Sequence, residues 1–225
     1  MLAGAPPRGF RGIRKMPSLS QILHDHPPLL LIDAASERVQ AGLLGAGAGP
    51  RWSARREEAG VGVFECLDEL GVDVGRVASF AFCEGPGSIL GIRSAAMALR
   101  MWDALRQRPL FAYVGLAVVA RAVGRPEVGV IADARRGFWH CLHMGGPLQR
   151  VPAAELSGAL VTPEGFRHWD PLPAGTTTAP YDLAALFSTR AVADADLFRE
   201  TRDPDAFLHQ EPSYAKWVPQ IHRAP

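Results

Sequence analysis

Two short stretches, 100 positions apart, constrain this chain more than anything else in it. Leu31-Ile32-Asp33 leads through a short turn into a strand pattern from Val39. Ile131-Ala132-Asp133 leads through a short turn into one from Phe138. In both, an apolar run of strand length ends in an acid, turns and returns. A duplicated strand–acid–turn–strand unit predicts two related lobes, and 225 residues are enough for two small ones.

The first lobe can be followed in order. Strands are predicted at 29–32, 39–44 and 51–55, forming an antiparallel meander. The glycines at 45, 47 and 49 fall between hairpin strands, so they are not a dinucleotide loop. A weak amphipathic helix over 57–70 carries Val63, Phe64, Leu67 and Leu70 on one face. Gly60 and Gly62 each cost that helix about 1 kcal/mol relative to alanine. A strand at 77–82 then meets Gly85-Pro86-Gly87-Ser88, with Ser88 as N-cap of a helix over 89–105. Such a corner can bind an anion at the helix start or serve as a tight docking turn. The helix has two apolar rows. One is Ile92, Ala95, Ala96, Leu99 and Trp102; the other is Leu90, Met97, Met101 and Leu105. One row must cover a sheet, and the second needs a neighbouring helix or another chain.

Beyond residue 108 the expected elements are a strand at 109–113, a helix at 116–122, strands at 128–132 and 138–144, and weaker strand patterns at 151–156 and 159–161. Residues 163–175 are expected as loop, with helices at 183–187 and 191–198. The resulting division is a disordered leader at 1–27, a first lobe at 28–108 and a second at 109–225. Arg8, Arg11, Arg14 and Lys15 flank no apolar segment, so the leader is a poor signal peptide, and Met16 is an alternative start.

Several chemistries are excluded or weakened. A net charge of +1 argues against a broad basic nucleic-acid surface. All but Lys15 and Lys216 of the 24 basic residues are arginine, which reads first as compositional bias. Three dispersed cysteines, with no CxxC pair, give neither a disulfide framework nor a zinc ribbon and fit a reducing cytoplasm. No apolar run is long enough to span a membrane. The corner lacks the Gly-Lys-Ser/Thr ending of a Walker A loop, and no Gly-x-Ser-x-Gly elbow exists. Asp33 and Asp133, at two strand ends, could hold a nucleotide phosphate through Mg²⁺. The alanines after Asp33 weaken that reading, because phosphate-gripping turns use glycine and hydroxyls.

Leu29 to Asp33, the strand before Gly85-Pro86-Gly87-Ser88, Gly91-Ile92-Arg93 and Ile131-Ala132-Asp133-Ala134-Arg135-Arg136 resemble, in order and spacing, the TsaB (YeaZ) family. The resemblance covers 28–144, with a faint echo at Pro212-Ser213-Tyr214. It implies an α/β fold of two ribonuclease-H-like lobes (actin/Hsp70/sugar-kinase-like), mixed sheets flanked by helices, the second lobe degenerate. It implies a non-catalytic scaffold that partners TsaD in making threonylcarbamoyladenosine on tRNA. A TsaE-like ATPase joins through the complex, tRNA is met only indirectly, and ATP or ADP is met only at a complex interface. No cofactor or metal of its own is implied. The partner-facing helices would be 57–70 and 89–105, with Phe64, Leu67, Ile89, Leu90, Met97 and Met101 at the interface. Gly85, Pro86, Gly87, Ser88, Gly91 and Arg93 would form the helix-start loop that aims the second helix outward.

The chain departs from the family pattern at Ile89-Leu90, where Phe-Thr is usual, and at Ala34-Ala35, where Thr-Ser is usual. A nucleotide-dependent phosphotransferase using Asp33 and Asp133 with Mg²⁺ is the alternative function. A self-associating homodimer outside the tRNA pathway is the third reading.

Overall fold

The computed structural model describes residues 16–47 and 49–207. Within these, six helices and eleven strands form two mixed sheets flanked by helices. The Pro212-Ser213-Tyr214 echo lies outside the described residues.

The chain of described elements opens with a helix. Ser18 accepts the Gln21 N–H, and the Gln21 side chain accepts the Ser18 N–H, a reciprocal cap that starts α1 (Leu19–Asp25). Leu19 and Ile22 are buried in the main core. The leader expected over 1–27 is therefore corrected from residue 18 onward, because a capping box and two apolar side chains suffice to fold it.

The first sheet contains β1 (Leu29–Asp33), β2 (Val39–Leu44), β3 (Arg51–Arg55), β4 (Ser79–Gly85) and β5 (Leu110–Val114). The second contains β6 (Gly129–Asp133), β7 (Phe138–Leu142), β8 (Gln149–Pro152), β9 (Leu160–Pro163) and β10 (Thr177–Ala179). Five strands run β5-β4-β1-β2-β3 in one sheet and β10-β9-β6-β7-β8 in the other. The senses also agree: β1 and β6 each pair antiparallel with the following strand and parallel with a later one. The duplication expected from the two acids is thus present as a repeated topology.

The lobes differ in what covers them. In the first, α2 (Ala59–Glu69) follows β3 and α3 (Ile89–Leu105) follows β4. In the second, a single 3₁₀ turn (Ala153–Glu155) and an irregular loop across 164–176 occupy those places. This is the degeneracy expected. α4 (Gly115–Val123) bridges β5 to β6, and one continuous core runs through both sheets. Among the described residues no helix is long and apolar enough to cross a membrane.

Two boundaries need correction. The first lobe does not end at 108, since β5 pairs in parallel with β4. The helix expected over 191–198 is also wrong. After α5 (Leu183–Ser188), α6 (Arg190–Ala193) lasts four residues, and β11 (Phe198–Glu200) then pairs antiparallel with the open edge of β5. Phe198 is fully buried against Tyr113 and Phe187, so tertiary pairing overrides the local helical pattern.

Candidate functional site

Helix α3 begins where the sequence predicts, with the Ser88 hydroxyl accepting the Gly91 N–H. Its two apolar rows have different fates. Ile92, Ala95, Ala96, Leu99 and Trp102 are buried on the first sheet. Leu90 is 80% exposed, Met97 62% and Leu105 82%, with Met101 and Ile89 also exposed. On α2, Val61 and Phe64 join them, and Phe64 meets Trp102 edge-on at 6.4 Å. Seven of the ten exposed large apolar residues among those described thus lie on these two helices. Scattered surface leucines need no explanation, but a contiguous apolar face on paired helices marks an interaction surface. Leu67, expected at that interface, is buried in the core instead. α2 turns Val63, Cys66 and Leu67 inward and Phe64 outward. Gly62 lets the helix settle on β2, where an added Cβ would meet Val39 at 3.1 Å.

The corner before α3 is a docking turn. The Ser88 N–H donates to Ala35 O at 2.8 Å. A Cβ on Gly87 would lie 2.3 Å from Ala35 O, and one on Gly91 2.2 Å from Ala34 O. Carbonyl oxygens, not anions, therefore occupy the space against these glycines. Arg93 reaches across to Asp205, and Arg100 to Asp203 at 2.8 Å. Gly91→Ala is expected to destabilise the fold by about 3 kcal/mol, the upper end for overpacking, because its neighbour is backbone. Urea unfolding measures this; a loss under about 1 kcal/mol would show that the turn yields.

Asp33 is fully buried. Its Oδ1 accepts the Ala35 N–H, and its Oδ2 accepts the hydroxyls of Tyr113 and Tyr181 at 2.7 and 2.6 Å. Tyr181 comes from the far lobe, just before α5, and its carbonyl is held by Gln40 and Arg38. Gly115 gives its hydroxyl room: a Cβ there would stand 2.7 Å from the Tyr181 oxygen. Asp33 is thus a bolt between lobes. Neither tyrosine was expected from sequence, and nothing local to them marks the role.

Burial pushes the Tyr113 and Tyr181 hydroxyls well above 10.0, and the Asp33 charge pushes further. Burial, then Asp33, likewise raises Cys83 well above 9.0. Each folded value exceeds its unfolded one, so the stability these protonated groups give is complete below about pH 9 and is lost as pH rises toward the folded values. The melting temperature should hold level up to about pH 9 and fall above it. The fall should be shallower in Tyr181→Phe; an identical alkaline limb in both proteins would remove the cluster as its cause.

Asp133 ends β6 as Asp33 ends β1, and its Oδ1 makes the matching bond, from the Arg135 N–H. Its Oδ2 accepts the backbone N–H groups of Trp169 and Asp170. Asp133 lines a cleft of about 1120 Å³ between the lobes, together with Ala34, Ala35, Pro86 and Ser88; Asp33 does not line it. The two acids are therefore not brought together, and the donors do not fit a shared Mg²⁺. Among the described residues no group of three or more His, Cys, Asp or Glu is placed to hold a metal.

All three cysteines are free and buried. Cys141 lies 3.9 Å from the His143 ring, but burial raises its thiol, the opposite of an activated nucleophile.

No family model matches the chain, and no curated protein does. Solved structures do. YeaZ from Pseudomonas aeruginosa matches with 24% identity and a TM-score of 0.53, over 71% of this chain and 90% of that one. An uncharacterized protein described as similar to peptidase YEAZ, from Pseudomonas aeruginosa, matches with 23% identity and a TM-score of 0.52, over 71% and 89%. With its two helix-flanked sheets of one strand order, the chain has the fold of YeaZ.

Proposed function

We propose that this chain is a TsaB-type accessory subunit of the machinery that makes threonylcarbamoyladenosine on tRNA. It would dock a TsaD-like catalytic relative through the apolar face of α2 and α3. The observation that carries this reading is the exposed row Leu90, Met97, Met101 and Leu105 beside Phe64. The motif order read from the sequence and the YeaZ fold support it. A non-catalytic role is supported by the use of Asp33 as an internal bolt. A cysteine-peptidase activity is not supported, because burial raises the thiols of Cys66, Cys83 and Cys141.

Co-expression with the TsaD-like protein of the same genome, followed by affinity capture and mass measurement, tests the proposal. A stable one-to-one complex is expected, lost on Leu90→Arg. Absence of a complex in both proteins would overturn it. The same face would suit a second copy of this chain, so a homodimer broken by Leu90→Arg, with no hetero-complex, would favour the self-associating reading.

A further inference from the structure

Asp133 and Asp170 tie two loops of the second lobe together. The Trp169 and Asp170 N–H groups donate to Asp133, and the Gly137 N–H donates back to Asp170 at 2.8 Å. The cross-tied loops hold Arg135 and Arg136 in left-handed backbone, at φ 63° and 58°, a conformation non-glycine residues rarely take. They also place the Arg135 guanidinium 3.9 Å above the ring of Trp169, which stays 61% exposed. Arg150 reaches the carbonyls of Ala134 and Arg135 while stacking on Phe138 at 3.8 Å. Arg167 completes the wall, and all four arginines line the interlobe cleft. None of them has a described ion-pair partner, whereas Arg56, Arg93, Arg100 and Arg199 all do. The cleft's unpaired acids, Glu57 and Glu58, stand on the opposite wall at the start of α2.

We propose that this arginine wall is a contact site for single-stranded RNA, resting on the tRNA reading above. Arg136 and Arg167 take phosphates, Arg150 braces the loop that carries Arg135, and the Arg135–Trp169 stack takes a base. Unpaired guanidiniums beside an exposed aromatic ring are the combination that grips phosphate and base together. The tied loops fix where their backbones stand, which lowers the ordering cost of the contact. The opposing acids confine the strand to one wall and keep the binding weak, in keeping with a net charge of +1.

The test is fluorescence anisotropy of the full chain with a labelled single-stranded RNA at low salt. Binding is expected to weaken roughly tenfold in Arg136→Ala with Arg167→Ala, and the salt slope to fall by about 0.7 for each phosphate no longer gripped. Trp169→Ala should weaken binding at least fivefold, because the base then has no ring to stack on. Far-UV circular dichroism and melting of each variant establish that it is folded. No RNA binding, or binding indifferent to all three substitutions, overturns the proposal. Tight binding of ADP with no RNA binding would assign the wall to a free nucleotide instead, and equal competition by polyglutamate would reduce it to a charge patch. Met97→Arg, on the docking face and outside the cleft lining, separates the two sites: it should abolish the hetero-complex and leave RNA binding unchanged.

Discussion

Asp33→Ala is expected to cost roughly 3–9 kcal/mol, a large part of the 5–15 kcal/mol that holds a typical domain together. The carboxyl group accepts three hydrogen bonds, from the Ala35 N–H and from two tyrosine hydroxyls that are themselves fully buried. Deleting it strands three donors where no solvent reaches, at about 1–3 kcal/mol each. The loss acts across the molecule, because Tyr113 belongs to the first sheet and Tyr181 arrives from the second lobe. Asp33→Asn keeps the volume and one acceptor, so its cost should be about 1–2 kcal/mol. Urea unfolding of both variants measures the difference. Equal, small losses would show that water replaces the carboxyl and that Asp33 is no bolt. If the residue instead served phosphate transfer, Asp33→Asn would spare stability and abolish ATP turnover, so stability and turnover separate the two functions.

The second large effect is on assembly. Met97→Arg and Leu90→Arg should each lower affinity for the catalytic partner at least a hundredfold, since an unpaired charge buried at an interface centre costs several kcal/mol. Neither should alter the stability of the free chain by more than about 0.5 kcal/mol, because both side chains face solvent in it. Leu67→Ala is the control with the opposite signature. Leu67 is buried on the inner side of the neighbouring α2, so its truncation should cost about 2–5 kcal/mol of stability and leave the docking surface chemically intact. Analytical ultracentrifugation with the partner, beside thermal melts, reads both quantities. If Met97→Arg left assembly unchanged, the exposed row would not be the docking face.

The Arg135–Trp169 wall shows how a site can be half legible. Asp-Ala-Arg-Arg stands out in the sequence, and its acid was expected to meet a metal or phosphate. Its oxygens turn out to be spent on backbone N–H groups 36 and 37 residues away, which no local pattern announces. Trp169 lies in a segment expected only as loop, and its ring gains meaning from a guanidinium brought over it by that tie. The docking face was legible in a different way. Spacing alone separated the two rows of α3 and assigned the right residues to each. It could not set the direction of Phe64 and Leu67 on α2, where the glycines blur the periodicity and Phe64 turned outward.

By itself, the sequence determined most elements of the first lobe and the repeat of its opening unit. Apolar runs ending in Asp33 and Asp133, the glycine corner with its Ser88 cap, and the 3.6-residue spacing of α3 are all local, and local backbone preference with side-chain periodicity suffices to write them. Tertiary structure alone decided which apolar row met the sheet, that 198–200 would pair as a strand, and that Asp33 would be bound by tyrosines 80 and 148 residues away. Those outcomes depend on which surfaces close against each other. A buried hydrogen bond or a sheet edge is satisfied by whatever the fold brings near, and sequence neighbours carry no record of it.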